Sequence, residues 1–151
     1  MTDTQPFRSE TILLVDDEPA LRELVRVILM VDGYRVLEAG SGQEALQILE
    51  SSPTPIHLLL TDVLMPGMDG QELAERARRR DPELNILLIS GCPGKSDTYE
   101  WASRIGLAFL PKPFSVEDLT RTVRETLDGR CPIHKPCEPK VHETAPAWTI
   151  P

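Results

Sequence analysis

The fold is decided by residues 56–70, which read IHLLLTDVLMPGMDG. An apolar run typical of a buried β-strand ends in Asp62, and a proline–glycine turn follows almost at once. Asp69 and Glu72 then form an N-capping pattern, which predicts a helix that continues through Arg80. This stretch therefore predicts a strand, a turn and a helix, with a carboxylate at the tip of the strand.

On both sides of this stretch, short apolar runs alternate with segments of helical periodicity. The predicted strands are 12–15, 34–37, 56–61, 84–89 and 107–110, and the predicted helices are 19–33, 41–50, 69–80, 95–105 and 115–128. Such alternation is typical of an α/β protein with a doubly wound parallel sheet of five strands. Among the orders that such sheets adopt, we expect the flavodoxin-like order 2-1-3-4-5.

Two details of this pattern predict how individual residues are placed. The first helix has apolar residues at helical spacing, which predicts one buried stripe made of Leu21, Leu24, Val25, Ile28 and Leu29. Pro111 lies at the end of the fifth strand, which favours an edge position for that strand because proline lacks a backbone donor.

Length and composition exclude several classes of protein. The 151 residues suit one domain, and the net charge of -8 argues against direct nucleic-acid binding, which depends on clustered Lys and Arg. The sequence shows no signal peptide and no apolar stretch of membrane-spanning length, so we expect no membrane insertion. Three cysteines without a framework spacing favour a reducing compartment, and we expect a cytoplasmic protein.

The chain divides into three parts. We expect a flexible N-terminal extension over residues 1–10, a folded domain over 11–128 and a flexible tail over 129–151. The tail is rich in proline and has no hydrophobic period, so it cannot bury enough surface to order itself. No second domain is visible, and we therefore expect no DNA-binding or catalytic output unit.

Polar residues at the strand ends are the candidate site. Asp16 and Asp17 follow the first strand, Asp62 ends the third, Ser90 follows the fourth and Lys112 follows the fifth. Because the carboxyl ends of parallel strands meet at one edge, these side chains are predicted to converge. Clustered carboxylates favour Mg²⁺, and Lys112 adds a second cation. An anion between the two cations indicates phosphate chemistry, with Asp62 as the nucleophile.

These residues resemble those of the receiver domains of two-component response regulators, of CheY type, over roughly residues 10–128. The resemblance implies that Asp62 accepts a phosphoryl group from a kinase phosphohistidine. It implies Mg²⁺ as the cofactor, bound by Asp17, Asp62 and the backbone carbonyl of Leu64, with Asp16 assisting through a bound water.

The same resemblance assigns roles to three further positions. Ser90 would donate its hydroxyl to a phosphoryl oxygen, Lys112 would pair with another, and Phe109 matches the aromatic residue of the family's conformational switch. The family also has a cis peptide after its lysine, so we expect the peptide bond between Lys112 and Pro113 to be cis.

By resemblance, the chain would be a signalling regulator rather than an enzyme, catalysing only its own phosphorylation and dephosphorylation. Its partners would be a sensor histidine kinase or a histidine phosphotransfer protein, and an unidentified output protein at the face of the fourth helix, fifth strand and fifth helix. Two alternatives stay open: a phosphorelay intermediate or phosphate sink associated with a hybrid kinase, and a phosphate-independent docking scaffold.

Two enzyme-like interpretations fail on particular residues. Phosphatases of the haloacid dehalogenase type need a second acid two positions after the nucleophile, where this chain has Leu64. A flavodoxin-type cofactor site needs a hydroxyl- and glycine-rich phosphate loop after the first strand, where Asp17 and Glu18 would repel a phosphate.

Two features of the sequence leave questions open. Leu64 and Cys92 lie two positions beyond Asp62 and Ser90, where by resemblance they border the path of the hydrolytic water. Neither offers a base, so we expect water access to govern hydrolysis. The tail carries a Cys-x2-His-x2-Cys-x4-His spacing that could hold zinc, although its prolines disfavour the necessary turns; its residues are Cys131, His134, Cys137 and His142.

Overall fold

The computed structural model of the protein describes residues 9–91 and 96–129. Its strands are β1 Thr11–Val15, β2 Arg35–Ala39, β3 Leu58–Asp62, β4 Asn85–Gly91 and β5 Ala108–Lys112. Its helices are α1 Pro19–Val31, α2 Gly42–Ser51, α3 Gly70–Arg80, α4 Ser96–Ile105 and α5 Val116–Leu127. The predicted N-terminal extension, apart from residues 9 and 10, and the predicted tail, apart from Gly129, lie outside the described residues, as does Cys92.

The five strands form one parallel sheet in the order β2-β1-β3-β4-β5. The predicted class and strand order are therefore confirmed. β5 is an edge strand, as predicted, and pairs only with β4. Pro111 is tolerated there because proline lacks a backbone donor and the outer side of an edge strand has no neighbouring strand to bond.

Helices cover the sheet on both faces because successive strand side chains point to opposite sides. Leu58 and Leu60 belong to the core shared with α1 and α5, whereas Leu59 belongs to the core shared with α2, α3 and α4. This arrangement leaves the carboxyl edge of the sheet open. Among the helices of the described residues, none is long and apolar enough to cross a bilayer.

Side-chain caps start three of the helices, including the one predicted at Asp69. Asp69 accepts a hydrogen bond from the Glu72 amide at 2.8 Å, and Ser115 forms a reciprocal capping box with Asp118 at the start of α5. Ser41 caps α2 through its side chain, which accepts from the Glu44 amide. The spacing of Ser41 and Glu44 is that of a capping box, but the box is only half formed, since the Glu44 carboxylate accepts from the Gly40 amide.

The apolar stripe of α1 is narrower than the periodicity predicts. Leu21, Val25 and Leu29 are buried, and Ile28 packs against the same core, but Leu24 is 46% exposed. The prediction for Leu24 was wrong because the contact of α1 with the core follows Leu21, Val25 and Leu29, with Ile28 beside them, and Leu24 lies outside it. A helix in this position tolerates apolar residues outside its contact line.

Candidate functional site

The predicted site residues stand together at the carboxyl edge of the sheet. Asp16 comes directly after β1, whereas Asp62 and Lys112 are the last residues of β3 and β5. Asp62 pairs in register with Ile89, so Ser90 lies one residue further along the neighbouring strand. The parallel register therefore brings chain positions far apart in sequence to one end of the sheet.

Three carboxylates form a compact acid cluster, made of Asp16, Asp17 and Asp62. Each offers an oxygen, and these oxygens lie within 4.8 Å of one another. The cluster spans a range of environments, since Asp16 is buried at 6% exposure and Asp17 is exposed. Like charges at this separation repel, so the ionised cluster favours a nearby cation.

Asp16 shows the electrostatic cost of this arrangement. Burial raises the pKa of its carboxyl group, and the negative charges of Asp62 and Asp17 raise it further. The Glu18 amide, which donates to Asp16 Oδ1 at 2.9 Å, and the charge of Lys112 act in the opposite direction. The net effect is a raised pKa, so the carboxyl group of Asp16 ionises less readily in the folded chain than it would in water.

Lys112 supplies a positive charge within the cluster. Its Nζ lies 3.0 Å from Asp62 Oδ2, and the side chains of the pair are only 17% and 12% exposed. The Leu64 amide donates to the other oxygen, Asp62 Oδ1, at 3.2 Å. Asp62 is therefore oriented from two sides, and the peptide bond between Lys112 and Pro113 is cis, as expected.

The donor set fits a magnesium ion. Three carboxylates and one ammonium leave two negative charges, which matches a divalent cation, and carboxylate oxygens are the ligands that Mg²⁺ prefers. Leu64, the expected carbonyl ligand, follows Asp62 by two residues, and its side chain is 57% exposed beside the cluster.

Ser90 and Phe109, the two predicted switch residues, are both buried. Ser90 is 7% exposed, and its hydroxyl donates to the Gly91 carbonyl at 3.3 Å along its own strand. Phe109 is 5% exposed and belongs to the core shared with α4, where Trp101 packs against the same cluster of side chains. Both residues are therefore directed into the protein in this state.

Gly70 supports the site, and sequence reasoning missed it. A Cβ at this position would lie 2.2 Å from the Asp62 carbonyl oxygen. The Gly70 amide donates to the Val63 carbonyl at 2.8 Å. The start of α3 therefore presses against the backbone that carries Asp62. A glycine as the first residue of a helix is a poor helix former, and this is the signal that could have indicated a tight contact.

A second supporting residue missed by the sequence patterns is Arg22, whose guanidinium Nη1 donates to the Asp16 carbonyl at 2.7 Å. Helical periodicity placed it beside the apolar stripe of α1 and indicated nothing more. Two other predictions cannot be located here, because Cys92 and the possible zinc ligands of the tail lie outside the described residues.

Comparison with known proteins identifies a family for most of the chain. Residues 12–124 match the model of the response regulator receiver domain. The chain is 38% identical over 120 residues to sensor kinase CckA of Brucella abortus, covering 80% of this chain but only 13% of the kinase. It is 35% identical over 116 residues to response regulator receiver protein CpdR of the same organism, covering 77% of this chain and 95% of CpdR.

A solved structure agrees with this result. The CheY-like response regulator receiver domain protein of Methanospirillum hungatei is 30% identical and superposes with a TM-score of 0.72, covering 80% of this chain and 94% of that one. The described fold and the sequence matches therefore coincide over the same part of the chain.

Proposed function

Because the chain belongs to the response regulator receiver domain family of two-component systems, we propose that Asp62 accepts a phosphoryl group from the phosphohistidine of a sensor kinase or phosphotransfer protein. The observation that carries the proposal is the pairing of Lys112 with Asp62 at 3.0 Å beside two further carboxylates. A nucleophilic carboxylate, a cation for the incoming phosphoryl oxygens and acids suited to Mg²⁺ thus lie together.

The proposed transfer is a displacement at phosphorus. A carboxylate oxygen of Asp62 forms the new P–O bond while the P–N bond to the partner's histidine breaks, and the bonding electron pair returns to the imidazole nitrogen. Lys112 then pairs with a phosphoryl oxygen, releasing its contact with Asp62 Oδ2. The Leu64 amide, which donates to Oδ1, keeps the carboxylate in place before transfer.

Asp16, Asp17 and Asp62, with the carbonyl of Leu64, are the residues proposed to hold Mg²⁺. When bound, the ion supplies positive charge that offsets the carboxylates and the added phosphoryl group. The raised pKa of Asp16 supports this assignment, because burial and neighbouring negative charge disfavour its ionised form unless a cation is close.

The proposed output is a change in one surface. Ser90 must rotate away from the Gly91 carbonyl to donate to a phosphoryl oxygen, and the side chain of Phe109, which is already buried, would repack with it. The face made of α4, β5 and α5 would then change its affinity for an output protein. Such a population shift is limited by the difference in phosphoryl contacts between the two states.

A relay role is the second candidate. The matched segment of CckA belongs to a sensor kinase, so a relative of this domain lies within a kinase chain. In this role the phosphoryl group of Asp62 would pass to a histidine phosphotransfer protein, or be lost by hydrolysis, without a dedicated output contact. Binding to an output partner with and without a phosphoryl mimic, set beside phosphoryl transfer to such a protein, distinguishes the two.

Intact-mass spectrometry after incubation with acetyl phosphate and Mg²⁺ tests the phosphoacceptor proposal. We expect a gain of one phosphoryl group in the wild type, and no gain in Asp62→Asn or in chelator. Asp69→Asn, which changes an acid of the same loop outside the cluster, should be phosphorylated like the wild type. Absence of any gain in the wild type would favour the phosphate-independent scaffold.

A further inference from the structure

We propose that Arg22 is a positioning residue for the acid cluster, holding the backbone at Asp16 and tying it to β2 through Glu38. The inference rests on the proposed Mg²⁺ site and extends it to a residue outside the ligand set. It concerns how the chain keeps two adjacent carboxylates in place where the sheet has ended.

Arg22, in the first turn of α1, contacts the residue that follows β1 and a residue of β2. Its Nη1 donates to the Asp16 carbonyl at 2.7 Å. Its Nε is shielded from solvent and lies 3.4 Å from Glu38 Oε1, close enough for an ion pair although not aligned for a hydrogen bond. The guanidinium therefore bridges the end of β1 and the end of β2.

The surroundings leave room for this bridge. A Cβ on Gly40 would lie 3.2 Å from Arg22 Nη1, so a side chain at that position would crowd the guanidinium. The Asp16 amide donates to the Ala39 carbonyl at 3.2 Å. The peptide groups on the two sides of Asp16 are thus both held, the first by β2 and the second by Arg22.

Such support matters because Asp16 lies one residue beyond β1, where regular sheet pairing has ended. The carboxylates of Asp16 and Asp17 must nevertheless face Asp62 across the edge. Residues that orient metal ligands without touching the metal commonly contribute about 10- to 100-fold to metal affinity. Loss of the Arg22 contact should therefore weaken Mg²⁺ binding.

Electrostatics alone predicts that loss of Arg22 would make Mg²⁺ binding tighter, not weaker. Removing a positive side chain near an acid cluster should strengthen cation binding. The ion pair with Glu38 reduces this effect, since the two side chains together carry no net charge. The direction of the change in Mg²⁺ affinity therefore separates positioning from simple electrostatics.

Isothermal titration calorimetry with Mg²⁺ on the full chain tests the inference. We expect Arg22→Gln to weaken binding about 10-fold, and Arg22→Lys to weaken it less, because lysine keeps a donor but lacks the planar fork. Arg26→Gln is the matched control. Arg26 also lies near Glu38, at 3.7 Å, but its other contacts are to Glu23 and Met30. The Mg²⁺ affinity of Arg26→Gln should stay within about 2-fold of the wild type.

Phosphorylation kinetics with acetyl phosphate supply a second readout. The Mg²⁺ concentration for half-maximal rate should rise in Arg22→Gln, while the rate at saturating Mg²⁺ changes little, because the nucleophile itself is untouched. A general loss of folding would instead lower the rate at saturating Mg²⁺. If Arg22→Gln does not fold, Arg22→Lys takes its place. Because lysine keeps the positive charge, electrostatics predicts an unchanged Mg²⁺ affinity, whereas loss of the planar fork at the Asp16 carbonyl predicts weaker binding.

The outcomes separate the two proposals. Equal or tighter Mg²⁺ binding by folded Arg22→Gln, with normal binding by the wild type, would overturn the positioning role and leave the proposed function standing. Absence of Mg²⁺ binding by the wild type would overturn the proposed metal site and this inference with it.

Discussion

Lys112 Nζ and Asp62 Oδ2 lie 3.0 Å apart, although the two residues are separated by 50 positions in the chain. They are the last residues of β5 and β3, with β4 between them in the sheet. The ammonium therefore reaches across a strand to neutralise one carboxylate of the acid cluster. In the proposed function, this same contact must break when Asp62 is phosphorylated.

Lys112→Met should separate metal binding from phosphoryl transfer. Removing the ammonium leaves the cluster more negative, so we expect Mg²⁺ to bind about 3- to 10-fold more tightly. Phosphorylation by acetyl phosphate should slow by at least about 10-fold, because a cation for the phosphoryl oxygens is lost. Calorimetry and intact-mass kinetics measure the two effects.

Arg104→Met is the control for this substitution, since it removes the same charge from an exposed position on α4. Arg104→Met should change neither the Mg²⁺ affinity nor the rate of phosphorylation. Weaker Mg²⁺ binding in Lys112→Met would contradict the electrostatic argument and indicate that Lys112 organises the ligands.

Asp16→Asn should stabilise the protein in chelator at neutral pH. The pKa of Asp16 is raised above 3.8, mainly by burial, so its favourable protonated form contributes stability that is fully present below that value. This contribution is lost as pH rises through the folded-state pKa. The advantage of the variant over the wild type should therefore grow with pH from about 4 to 7.

Urea unfolding over this pH range measures the effect. Glu83→Gln, an exposed acid before β4 at the opposite edge of the sheet, should track the wild type at every pH. Added Mg²⁺ should stabilise the wild type and leave Asp16→Asn nearly unchanged. A constant difference between variant and wild type across pH would argue against titration of Asp16.

Asp118→Asn should weaken the start of α5 in a pH-dependent way. Burial raises the pKa of Asp118, but hydrogen bonds from Ser115 and Arg121 outweigh it, and the net pKa is lowered. The stability that this carboxylate contributes is present above its unfolded-state pKa near 3.8 and is lost as pH falls through the folded-state value. The variant should lose about 0.5 kcal/mol at pH 7, at the low end for a hydrogen bond because the carboxylate is 42% exposed.

Thermal or urea unfolding at pH 7 and at about pH 3.5 checks this prediction, and the difference from wild type should shrink at the lower pH. Glu117→Gln removes an acid from the same first turn without touching the capping box. It should therefore cost less than Asp118→Asn. Equal losses in both variants would show that the helix dipole, rather than the cap, accounts for the effect.

Gly70→Ala should destabilise the protein despite alanine's better helix propensity. The added Cβ would meet the Asp62 carbonyl oxygen at 2.2 Å, so α3 or the loop after β3 must move. We expect a loss of about 1–3 kcal/mol, as for overpacking of a tight contact, and slower phosphorylation because Asp62 is displaced.

Gly42→Ala is the matched control, since Gly42 is also the first residue of a helix. Its Cβ would meet the side chain of Met68, which is flexible and half-buried, at 2.9 Å. The loss of stability should be smaller and phosphorylation should be unaffected. Comparable rates of phosphorylation for Gly70→Ala and the wild type would show that the loop adapts without moving Asp62.

Much of the fold was predictable because its signals are local. Apolar runs, capping residues such as Asp69 and Ser115, and the turn after Asp62 each depend on a few neighbouring positions. The parallel sheet then converts chain order into proximity, since strand ends share one edge. This is why Asp16, Asp62 and Lys112 could be expected together from their order in the chain.

The errors concern the directions in which individual side chains point. Leu24 fits the helical period but faces solvent, and the Glu44 carboxylate accepts from Gly40 instead of completing the capping box. Periodicity predicts which side of a helix is apolar, but the width of the buried stripe depends on what packs against it.

The sequence by itself determined the α/β class and the edge at which the polar residues converge, because these follow from local periodicity and from the geometry of parallel strands. Only the tertiary structure decided which groups support the site: the contact of Arg22 with the Asp16 carbonyl and the close approach of Gly70 to Asp62. Both contacts are made to backbone carbonyl oxygens. Every residue has a backbone carbonyl, so the sequence does not indicate which of them a distant residue will contact.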